Sequence, residues 1–138
     1  MTDKVVVFVT CGSAEEGRRI ARALVEERLA ACVNVSAPIR SLYRWEGRVC
    51  DDQEVLLVIK SSRLLFDRLR RTVEKLHSYQ VPEVICLPVI DGSPNYLNWL
   101  ADAVASPGEP APTAGPPAAH VPRRSARPKA VKPKRRKQ

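Results

Sequence analysis

Four side chains in the sequence are the candidates for holding a metal ion. They are His77, Tyr79 and Glu83 in the stretch LHSYQVPE, and Cys11 just after the apolar run at 4–10. Imidazole and thiolate suit copper or zinc, and a carboxylate can complete such a shell. Within one chain the spacing is poor. His77 and Glu83 fall on a loop leading into a strand, and residues 1–104 offer no second histidine. A strong site of this kind needs ligands from two subunits. The competing readings are a loop-orienting role for His77 and a turn or cap role for Glu83. Thr10-Cys11-Gly12-Ser13, ahead of a helix, could cradle an anion on free N–H groups, but an ordinary helix cap uses the same residues. Lys60, at a strand end, is expected to reach the cleft of His77, Tyr79 and Glu83, which would admit a small anionic ligand or nucleotide. No Gly-x-Ser-x-Gly, phosphate loop or hydrolase histidine pair is present, so the sequence points away from an enzyme.

The elements that must position these residues alternate in period. KVVVFVT (4–10) reads as a central strand buried on both faces. Ser13 with Glu16 three residues later is a capping-box signature. The following helix places Ile20, Ala21, Leu24, Val25 and Leu29 on one stripe. CVNV (32–35) begins a second strand, interrupted at Ala37-Pro38 and resumed by IRSLYRW up to a Glu46-Gly47 turn. The return strand through residue 60 is long, with a kink expected at Asp51-Asp52. Ser62 is expected to cap a second helix carrying Leu65, Leu69, Val73 and Leu76. EVICLPVI (83–90) reads as the fourth strand, placed at an edge or bulged by Pro88, and NYLNWLADAV as a short last helix. The order βαββαβ plus a terminal helix predicts an α+β, ferredoxin-like sandwich with two helices on one sheet face. The other face is too apolar for solvent, and a partner subunit is its expected cover.

Charge divides the chain. Residues 1–104 hold 14 Lys/Arg and 14 Asp/Glu, whereas 105–138 hold 9 Lys/Arg against Glu109 alone. We read 1–104 as the folded domain and 105–138 as a disordered Pro/Ala-rich basic tail, which could contact a polyanion with little sequence preference. The four cysteines are far apart, without a Cys-x-x-Cys, and no run approaches membrane-spanning length. Free thiols in a reducing cytoplasm follow as the expected setting.

The segments ALVEERLAACVNV (23–35), SLYRWEGRV (41–49), EVLLVIKS (54–61), LHSYQVPEVICLPV (76–89) and NYLNWL (95–100) together resemble the CutA family, the divalent-cation-tolerance proteins. The likeness covers residues 4–104 and leaves the tail unexplained. It implies a tight homotrimer similar in architecture to PII signalling proteins, with Tyr43, Trp45, Tyr96 and Trp99 at subunit interfaces. It also implies non-enzymatic binding of divalent cations, copper first, with His77, Glu83 and Cys11 as ligands and no metal required for folding. A PII-like module taking a small anionic ligand in intersubunit clefts is the alternative. The resemblance is incomplete at two places: Val9 stands where some relatives carry a strand-end cysteine, and the usual His-Pro-Tyr reads His77-Ser78-Tyr79.

Overall fold

The computed structural model describes residues 1–110. The chain forms strand β1 (Lys4–Cys11), helix α1 (Ala14–Glu26), strands β2 (Cys32–Val35), β3 (Ile39–Trp45) and β4 (Arg48–Ser62), helix α2 (Phe66–Leu76), strand β5 (Val84–Pro88) and helix α3 (Pro94–Ala103). The sheet order is β2-β4-β1-β5, all antiparallel, with β3 paired to the first half of β4. This is an α+β fold of the expected order. The basic tail lies, from residue 111, outside the described residues.

Alternation along β1 decides which face is which. Val5, Val7, Val9 and Cys11 are buried with their β4 partners Ile59, Leu57 and Val55, under Ile20 and Leu24 of α1 and Leu69 and Val73 of α2. Val6, Phe8 and Thr10 point to the opposite face and are only half-buried. Register puts Leu56, Val58, Lys60, Ile85 and Leu87 beside them. Helices α1 and α2 therefore cover one face of the sheet, and the largely apolar opposite face is only half-buried, so β1 is not fully enclosed on both sides.

Several local signals act as read. Glu46 and Gly47 both take positive φ (48° and 76°), the backbone of a two-residue hairpin turn whose twist matches the flanking strands. β5, with Pro88, is an edge strand, where a missing ladder donor costs nothing. Two expectations fail. β4 runs unbroken for 15 residues with regular pairing through Asp51 and Asp52, so there is no kink. Ser62 makes no side-chain cap; its hydroxyl accepts from Lys4 Nζ (3.2 Å), and α2 begins instead after a 3-10 turn at Arg63–Leu65.

Close helix-to-sheet packing depends on Gly17. A Cβ there would sit 2.8 Å from Val55 Cγ2 and 3.4 Å from Leu57 Cδ2. Gly17→Ala gains roughly 1 kcal/mol of helix propensity, but overpacking against a stiff β-branched neighbour costs about 1–3 kcal/mol. The expected outcome is a net loss of about 1 kcal/mol, seen as a lower midpoint in thermal unfolding.

Candidate functional site

A groove of about 770 Å³ opens between the β3–β4 hairpin and the loop that joins α2 to β5. Tyr43, Trp45, Glu54, Tyr79 and Glu83 line it, with Thr10 at its floor. Sheet register explains the assembly. Glu54 directly precedes the paired Val55, and Glu83 directly precedes Val84, which pairs with Val9. Both carboxylates thus flank Thr10 on the open face. Ser41, Tyr43 and Trp45 pair with Asp52, Cys50 and Arg48, which puts them on the same side.

The polar partners are specific. Glu54, 6 % exposed, accepts from Tyr79 Oη at 2.8 Å, and the Tyr43 hydroxyl donates to Asp52. Desolvation and the Glu54 carboxylate raise the Tyr79 phenol, while the Asp52 bond followed by desolvation pushes Tyr43 up to about 12. Both phenols stay protonated and act as donors. Desolvation, then the charge of Glu54, also raises the Glu83 carboxyl above its ordinary value of 4.5. The one cation lining the groove among the described residues, Arg40, is held by Asp51 at 2.9 Å. Two carboxylates therefore face the groove with no other cation lining it among the described residues.

His77 and Cys11 are placed differently from the predicted shell. His77 caps the end of α2, and its side chain is 0 % exposed. Nε2 lies 2.7 Å from the Thr10 carbonyl, which can only accept, so the proton sits on Nε2. Nδ1 in turn accepts the Tyr79 N–H at 3.0 Å. Both ring nitrogens are used in anchoring the loop, and a metal could reach neither without breaking a hydrogen bond. Cys11 is fully buried on the helix face, and burial, with the charges of Glu16 and Glu54, pushes its thiol up to about 12. A protonated, enclosed thiol is a poor ligand. Of the three predicted ligands, only Glu83 faces the groove. Among the described residues no three His, Cys, Asp or Glu side chains come together as a metal cluster.

Lys60 is likewise remote. It pairs with Val6, four residues from Thr10, about 13 Å along the strand. Its ammonium is bound to Asn34 Oδ1 and to the Val58 carbonyl (3.3 Å). No anion cradle forms at Gly12 either. Ser13 Oγ caps Glu16 N at 3.1 Å, and the Tyr79 hydroxyl lies 3.0 Å from where a Gly12 Cβ would be, so only glycine lets the ring approach. Tyr96 and Trp99 pack against each other with their rings tilted by 40° and centroids 5.5 Å apart, and remain about half exposed while Leu100 anchors α3 in the core.

Two carboxylates that build the groove and its loop escaped the sequence reading. Glu54 heads an apolar strand, where a charge reads as a solvated end. Glu16 looked like half of a capping box, but its carboxylate bypasses Ser13 and binds Ser78 N (2.7 Å) and Ser78 Oγ (2.8 Å), with His77 Nδ1 at 3.4 Å. It clamps the loop that carries Tyr79 and Glu83. Burial acts to raise its carboxyl, but the Ser78 hydrogen bonds, with the charge of Arg19 nearby, outweigh that and hold it below 4.5. Stability from Glu16 is then fully present above 4.5 and is lost as pH falls through the lower folded value. Glu16→Gln should cost about 1–3 kcal/mol at neutral pH. In denaturant titrations its deficit relative to the parent should shrink as pH falls below 4.5.

A family model described as CutA1 divalent ion tolerance protein matches residues 5–103. The divalent-cation tolerance protein CutA of Thermus thermophilus is 50 % identical over 97 residues, covering 70 % of this chain and 94 % of that protein. The chloroplastic protein CutA of Arabidopsis thaliana is 46 % identical over 99 residues, covering 72 % of this chain and 54 % of the plant protein, so the match spans about half of the latter. The solved structure of CutA from Xylella fastidiosa superposes with a TM-score of 0.73 at 36 % identity, over 75 % of this chain and 100 % of that one.

Proposed function

The chain belongs to the CutA1 divalent ion tolerance family, and from that premise we propose that it is a non-enzymatic homotrimer that binds divalent cations in its acidic groove. A reducing cytoplasm, which would keep the four free thiols reduced, is the setting that fits. One observation carries the reading: Glu54 and Glu83 face one groove whose single lining cation among the described residues, Arg40, is already neutralised by Asp51. The residues fit a divalent ion in part. Glu54 and Glu83 would hold it, Tyr79 would orient Glu54, and the remaining donors would come from water or a second copy. Copper is included because, for a given donor set, copper(II) heads the first-row series.

The trimer rests on the open face. Phe8, Leu56, Val58, Ile85 and Leu87 line the surface of the sheet opposite to α1 and α2. An apolar surface of this extent is stabilised by burial against further copies, and the groove opens at its rim. Tyr43 and Trp45, both 42 % exposed, would be enclosed by a neighbour in the same step. Tyr96 and Trp99 offer a second aromatic contact. The PII-like alternative, a small anion or nucleotide in the cleft, is disfavoured because two carboxylates repel it and Lys60 is too far away to compensate.

Calorimetry on the metal-free full chain tests the reading, using copper(II), zinc(II) and a nucleotide panel, with light scattering on the same sample. Saturable heats for the cations, none for nucleotides and a mass of three chains are expected. Nucleotide saturation without any cation response would overturn it in favour of the alternative.

A further inference from the structure

We propose that the groove between the β3–β4 hairpin and the α2–β5 loop takes a primary alkylammonium ion, its charged head held by Glu54 and Glu83 and its carbon chain laid along the rings of Tyr43, Trp45 and Tyr79. This rests on the reading of the groove as a cation site and names an organic class of cation for it. The first observation is size. The groove holds about 770 Å³, within the roughly 300–1,000 Å³ of pockets that take small organic molecules, and a single metal ion fills little of it. The second is its wall. Tyr43 and Trp45, two apart on β3, point to one side of the strand and are each 42 % exposed, and Tyr79 lines the same groove from the loop. The third is Glu54, which is only 6 % exposed. Its Oε2 accepts from Tyr79 Oη at 2.8 Å, whereas Oε1 accepts no hydrogen bond among the described residues and is not sealed from solvent. A nearly buried carboxylate thus turns one bare oxygen into the groove.

Chemistry selects the ligand. Each phenol carries one proton and already donates it, Tyr43 to Asp52 and Tyr79 to Glu54, so neither is left as a donor for an anion. What the rings still offer is their faces, whose negative quadrupole attracts a cation. A primary ammonium group brings three N–H donors and stays charged at neutral pH. It can donate to the bare Glu54 oxygen, to Glu83 and to the Thr10 hydroxyl at the floor of the groove. The methylene stem behind it is apolar and gains from burial against the rings. A quaternary ammonium has no N–H for Glu54. A metal ion finds only part of a shell, because no three His, Cys, Asp or Glu side chains come together among the described residues.

Titration calorimetry on the full chain with hexylammonium chloride, its uncharged counterpart 1-hexanol and zinc(II) tests this. Hexylammonium should saturate, hexanol should bind at least about tenfold more weakly, and zinc(II) should raise the apparent Kd of hexylammonium because both need the same carboxylates. Trp45→Leu should weaken hexylammonium about fivefold and zinc(II) less than about twofold, whereas Glu54→Gln/Glu83→Gln should weaken both. Because Trp45 also meets a neighbouring subunit in the proposed trimer, a second readout leaves it in place. The chain has two tryptophans, so in Trp99→Phe the emission reports Trp45 alone and should change with the calorimetric midpoint. Zinc(II) saturation without any hexylammonium heat would overturn this proposal and leave the cation groove standing, while silence from both would remove the groove reading as well. Equal affinity for hexanol, or Trp45 emission unmoved at saturation, would also overturn it.

Discussion

Replacing Glu54 and Glu83 together by glutamine is expected to weaken divalent-cation binding by about 100-fold or more, a loss of ~2.7 kcal/mol. Each substitution keeps the side-chain shape and removes one of the two uncompensated charges. Glutamine at 54 can still accept from the Tyr79 hydroxyl, so the loop should keep its place. The decisive control is His77→Gln. If the ring anchors the loop through Thr10 and Tyr79, this variant loses about 1–2 kcal/mol of stability and keeps most of its cation affinity. If instead His77→Gln abolishes the calorimetric signal while the double carboxylate variant retains it, the groove is the wrong site. The two variants therefore separate a carboxylate site from an imidazole one.

Val58→Asp should dissociate the assembly. Val58 lies on the open face, between Phe8 of β1 and Asn34 of β2. In a single chain this face meets water, so an aspartate there is tolerated by the fold itself. Once the face is covered by sister copies, the same carboxylate would be buried without a partner, at a cost of several kcal/mol per copy. Light scattering should then report one chain of 15.3 kDa in place of three. A variant that stays trimeric would show that the copies meet elsewhere.

Fold and site were not equally legible in the sequence. Period-two and helical patterning made the element order readable because both follow from local geometry, and the Glu46-Gly47 turn and edge-strand Pro88 are local too. Tyr79 and Glu83 were readable as polar groups on a loop beside the sheet. What escaped depends on pairing over long separations. Lys60 and His77 could be put in one cleft only without the register, which sets Lys60 opposite Val6 and His77 against Thr10. Glu16 satisfies a three-residue motif on paper, but its oxygens are used 62 residues away at Ser78. Ser62 resembled a cap for the same reason, yet its hydroxyl serves Lys4 across the sheet. Short-range patterns name the candidates, and tertiary hydrogen bonding decides among them.

The uninterrupted β4 strand bears on how quickly a ligand can come and go. Fifteen residues span about 50 Å as a single pleated rod, and the groove lies beside the point where its two halves, core and arm, meet. The strand is continuous there, through the change of partner from β3 to β1 at Glu54 and Val55. With no break in β4 to serve as a hinge, binding is expected without a flap movement of the hairpin, and stopped-flow traces should show one concentration-dependent phase without a slow closing step.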